Sequence, residues 1–141
     1  MKPEQLFLFT DDNFIKTYKY YVVKAISEMN ITMLEVILKE EYSYQEATKE
    51  VFLEKLNQIF EDYQNNGDTI LLHYQGACIA DKTLCDNCGK RGFRFVGNHS
   101  KNYFDLIFEA EKDDVKDLYR CVSFETDEKL EDLKHSTYMY I

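Results

Sequence analysis

Between Tyr63 and Thr69 the apolar residues of this chain change their spacing, and that change constrains the fold more than any other feature. Before it they recur every three or four positions, as on one face of a helix. After it they alternate, as along a half-buried strand. Asn65-Asn66-Gly67-Asp68 separates the two regimes and reads as a turn. Helices grouped ahead of strands describe an α+β domain. The chain has 141 residues, no repeat, no linker and a single proline, Pro3. It is expected to form one domain over residues 1–141, with a core at about 12–125 and an acidic tail at 126–141.

The first helix is expected to begin near Asp11 or Asp12, carrying Phe14, Tyr18, Tyr21, Val22, Ala25, Ile26 and Met29 on one stripe. Asn30 breaks it. Thr32 and Glu35 form a capping-box pair that predicts a second short helix, with Met33, Leu34, Ile37 and Leu38 buried. Ser43 with Glu46 offers another capping box, with Thr48 as a competing cap, ahead of a third helix. That helix buries Phe52, Leu56, Ile59, Phe60 and Tyr63.

At least four strands follow. The first alternates Ile70, Leu72 and Tyr74 with Leu71, His73 and Gln75, and Gly76 suggests a bulge. The second carries Phe93 and Phe95. The third turns Phe104, Leu106, Phe108 and Ala110 to one side. The fourth is expected over 115–124, with Leu118, Val122 and Phe124 on one face. Alternation sends Arg94 and Asp105 to water and leaves Arg120 on the side of Leu118.

Charge narrows the function. A formal net charge of -9 repels phosphate backbones and anionic bilayers, so neither nucleic acid nor a membrane is the expected partner. No apolar run approaches a membrane span, and residues 1–9 are too short for an export signal. The expected compartment is the cytoplasm, where the four cysteines would be thiols or metal ligands.

The order of elements resembles the nuclear-transport-factor-2-like, or cystatin-like, cone superfamily. Residues 25–38 carry the likeness: Ala-Ile-Ser-Glu-Met-Asn-Ile-Thr-Met-Leu-Glu-Val-Ile-Leu, one helix passing through a polar break into a second. The stretch on to Tyr44 and Lys-Glu-Val-Phe-Leu-Glu-Lys-Leu at 49–56, similar to that family's third helix, extend it. The likeness covers roughly residues 12–125. Residues 92–109 also resemble a stretch from small bacterial proteins, without implying an activity. The cone resemblance implies three N-terminal helices packed on a curved antiparallel sheet of four or more strands, and dimers made through the sheet face. It implies enzymes, ligand binders and interaction modules alike. The family's dehydratases and isomerases place Asp, His or Tyr inside the cone, and no Asp–His pair stands here at such spacing.

Three functional readings remain. The first is a binding domain that takes a small molecule in a pocket, or a protein partner on the sheet, using Tyr44, Tyr74, Tyr119 and Arg120. The bland account of these tyrosines is core and rim packing. The second is a lyase or isomerase with His73 as general base, helped by tyrosine hydroxyls. A histidine satisfied by ordinary neighbours is its plainer alternative. The third is a structural zinc clip. Cys85-Asp86-Asn87-Cys88 has the spacing of half a tetrahedral site, which Cys78 with Cys121 or His99 would complete. Unligated thiols are the alternative. A redox role for the same pair lacks the strand-to-helix setting that lowers a thiol pKa.

Overall fold

Thr17 opens the first helix and Asn30 the second, so polar caps rather than apolar stripes set the helix boundaries. In the computed structural model, which describes residues 17–80, 89–111, 114–121 and 123–134, α1 runs Tyr18–Ser27 and the Thr17 hydroxyl accepts from the Tyr20 N–H. The expected start at Asp11 or Asp12 lies outside the described residues. Met29 takes a left-handed conformation, and the Asn30 side chain accepts from the Met33 N–H to begin α2, Ile31–Ile37. Asn30, not Thr32, is therefore the cap. An Asx cap satisfies the donor two or three residues on, and Thr32 already lies inside the helix. Thr48 caps α3, Lys49–Asn65, by accepting from Val51.

Ser43 does not cap α3 because the chain is turning there. Tyr44 and Ala47 pair across a tight turn whose central residues, Gln45 and Glu46, both have positive φ. Two such residues are costly for side chains with a Cβ. Two hydrogen bonds from Gln45 to the sheet hold them: its N–H to Asp117 Oδ1 at 2.8 Å and its amide to the Leu118 carbonyl at 2.9 Å.

The sheet has five antiparallel strands: β1 Leu71–Cys78, β2 Arg91–Gly97, β3 Tyr103–Glu111, β4 Asp114–Arg120 and β5 Phe124–Thr126. Their spatial order is β4-β3-β2-β1-β5. The single strand expected at 115–124 is therefore two strands at opposite edges. Leu118 joins the main core, Phe124 joins a second cluster with Cys78 and Ile107, and Val122 lies outside the described residues. Gly76 makes no bulge: β1 pairs β2 in unbroken register from Leu71 to Ala77. A Cβ there would meet the Phe124 ring at 2.5 Å, so the glycine lets β5 close on β1. The register shift falls instead between Glu109 and Ala110, and Ala110 is exposed.

The main core lies between the helices and one face of the sheet. Val22, Ile26, Leu34, Phe52, Leu56 and Phe60 meet Leu71, Phe95, Phe104, Leu106 and Leu118 there. Fully burying side chains of this size contributes about 1.5–3 kcal/mol each. No helix among the described residues is long and apolar enough to cross a membrane.

The opposite face corrects the simple alternation. Asp105 is 8 % exposed, and it pairs with Arg94 rather than facing water. Arg94 also donates to the Phe124 carbonyl at 3.1 Å, and its guanidinium lies 4.3 Å from the Tyr103 ring centroid. A charge in this position has to be paired and hydrogen-bonded. The crossover to β5 supplies the cover that alternation within one strand cannot reveal.

Candidate functional site

A groove of about 460 Å³ runs between α1 and β1, lined by Lys19, Tyr20, Val23, His73, Tyr74, Gln75, Phe93, Asp127 and Glu128. Helical spacing places Lys19, Tyr20 and Val23 along its wall. Strand parity places His73 and Gln75 on the helix side with Leu71. Tyr74 also borders the groove, although strand parity sets it opposite to His73. The segment after β5 closes one end, with the Asp127 N–H donating to the Gln75 carbonyl at 2.8 Å.

Phe93 forms the floor. The His73 ring stands edge-on to it at 6.0 Å, and the Lys19 ammonium lies 5.8 Å from its centroid. Partial burial pulls both pKa values below their ordinary ranges, and for Lys19 the nearby Arg91 guanidinium adds to the effect. Arg91 is itself committed to Asp127: Nη1 donates to Oδ1 at 3.0 Å and Nη2 donates to Oδ2. That pair holds the Asp127 carboxyl below the usual carboxylate range.

The structure thus brings together His73 and Tyr74 of the residues singled out from sequence, and adds Lys19 and Phe93. Nothing in the sequence marks Lys19. Its helical position relative to Val23 is the one available signal, and it becomes informative only once β1 is placed opposite. Among the described residues the His73 imidazole has no hydrogen-bond partner. General-base chemistry usually needs one to orient the ring.

The other tyrosines lie elsewhere. Tyr44 is fully buried, its ring 5.4 Å from that of Phe52 and its hydroxyl accepting from the Lys39 N–H at 3.1 Å. The Tyr119 hydroxyl donates to Glu109 at 2.8 Å and accepts from Lys90 at 3.3 Å on the far face of the sheet. Arg120 ends β4 opposite Leu106, half-buried. These three do not converge with Tyr74.

Of the cysteines, Cys85 and Cys88 lie outside the described residues. Cys78 is buried and adjoins half-buried Cys121. Burial, with the neighbouring Cys78 adding to it, pushes the Cys121 thiol up to about 12. His99 is at the opposite end of β1, beyond Gly97, which pairs with Leu71; there it packs on Gly67. Among the described residues no group of three or more His, Cys, Asp or Glu side chains is placed to hold a metal. Comparison of the chain with family models, curated proteins and solved structures returns no match.

Proposed function

We propose that this chain is a small binding domain whose ligand occupies the groove between α1 and β1. The observation that carries this reading is the convergence of Lys19, His73, Tyr74 and Phe93 on one concavity of about 460 Å³. Small-molecule sites are typically clefts of about 300–1,000 Å³, largely apolar and aromatic with a few polar groups. The likeness to the nuclear-transport-factor-2-like cone belongs to the same proposal, as does a homodimer built through the sheet, which light scattering would test. A fragment screen by amide NMR tests the groove. Hits should shift residues 19–23, 73–75 and 93, and a His73→Trp variant that retains its melting temperature should lose them. Hits that map elsewhere overturn the reading.

A specific feature favours a structural zinc clip beside that function. Cys78 joins both stems of the segment that carries Cys85 and Cys88: its N–H donates to the Lys90 carbonyl at 3.0 Å, and its carbonyl accepts from the Gly89 N–H at 2.9 Å. Cys121 is its neighbour. Thiolates at such a place would cross-link β1, the connection and the chain leading to β5. Elemental analysis with thiol counting before and after chelation decides it. About one zinc per chain supports the clip, and metal-free protein with every thiol reactive on unfolding removes it.

A further inference from the structure

We infer that the groove selects a small aromatic carboxylate, with Lys19 as its counter-charge and Phe93, Tyr20 and Tyr74 as its ring contacts. This rests on the groove being a binding site.

The charges lining the groove do not cancel locally. Arg91 and Asp127 satisfy one another at the rim. Glu128 also lines the groove but is exposed, and no ion pair joins Lys19 to either acid. The half-buried Lys19 ammonium therefore faces the groove with no carboxylate among the described residues in ion-pair contact with it. A charge removed from water gains more from a partner than one left in it, because the local dielectric is lower. Of the groove's charges, Lys19 has the most to gain from an incoming anion.

The rest of the lining selects what carries that anion. Phe93 presents its ring to the cavity between His73 and Lys19. The Tyr20 and Tyr74 hydroxyls have no hydrogen-bond partner among the described residues, so both are available to a ligand. An aromatic ring fits edge-on or offset against such walls. A phosphate is a poorer match: it favours a guanidinium fork or a cradle of backbone N–H groups. Here the one nearby guanidinium is engaged by Asp127.

The test titrates the full chain with naphthoate and with naphthylmethanol, its neutral counterpart of similar shape, by amide NMR at low salt. The expected result is shifts at residues 19–23 and 73–75 for both, with naphthoate bound about tenfold tighter, the worth of one charge-assisted hydrogen bond. Lys19→Gln should abolish that preference without weakening naphthylmethanol, and Lys19→Arg should retain it. Equal affinity of the two probes in the groove overturns carboxylate selection and leaves the groove standing. A preference that survives Lys19→Gln overturns the role of Lys19. Shifts away from the groove, or binding of neither probe, overturn the inference and the groove reading together.

Discussion

Arg94 holds Asp105 through two parallel hydrogen bonds, Nε to Oδ1 at 2.7 Å and Nη2 to Oδ2 at 3.1 Å, on the face of the sheet away from the helices. Burial raises the Asp105 carboxyl despite the opposing pull of Arg94. Withdrawing both charges from water carries a desolvation cost that their attraction has to offset. Asp105→Ala strands a guanidinium that is 14 % exposed, and should cost about 3–5 kcal/mol in urea unfolding. Arg94→Met combined with Asp105→Leu should cost less than either single change. A double variant as unstable as the sum of the singles would show no coupling between the two side chains.

Gly92, at the start of β2, and Gly89, in the turn before it, should respond differently. A Cβ at Gly92 would lie 2.0 Å from the Leu106 carbonyl oxygen, so Gly92→Ala forces β2 from β3 and should cost more than about 3 kcal/mol. Gly89 has open space but a φ of 83°. Gly89→Ala should cost about 1–2 kcal/mol, the strain of the left-handed region alone. Chemical denaturation of the two variants distinguishes clash from strain.

Thr48 and Ser43 compete as helix starts in the sequence but not in the structure. Thr48→Ala should lose about 1 kcal/mol with its cap on Val51. Ser43→Ala, at an exposed turn position, should stay within about 0.5 kcal/mol. Equal losses would mean that the capping box at 43–46 forms in solution.

His73 links the groove to pH. Its pKa is lowered from 6.5 by burial, so the folded state favours the neutral ring. The stability this contributes is present above 6.5 and is lost as pH falls through the folded value. The imidazole should titrate below 6.5 by NMR. A His73→Gln variant should lose less stability than the parent on acidification. A midpoint above 6.5 would contradict the packing against Phe93.

Cys121 should be slow to alkylate. With its thiol pushed up to about 12 by burial, little thiolate exists near neutrality. In chelator-treated protein, peptide mapping after iodoacetamide should show Cys121 labelled at least about tenfold more slowly than in urea. Equal rates would place the thiol in solvent.

Local chemistry made much of this protein legible from residues alone. The order of helices before strands, the α3 face of Phe52, Leu56 and Phe60, the 65–68 turn and the alternation through β3 all follow from near-neighbour spacing. His73 and Tyr74 could be singled out because strand parity and side-chain chemistry are properties of short segments. What only the tertiary structure decided depends on residues far apart in sequence. β5 leaves β4 and crosses to the other edge, so Phe124 covers Arg94 and the pair with Asp105 is buried rather than wet. Asp68, read as a turn residue, is 3 % exposed and accepts from the His99 and Ser100 N–H groups and the Ser100 hydroxyl. Lys19 became part of a site only when α1 was laid against β1. Periodicity reports which side of an element is apolar, whereas the packing of distant segments determines whether a polar side is covered.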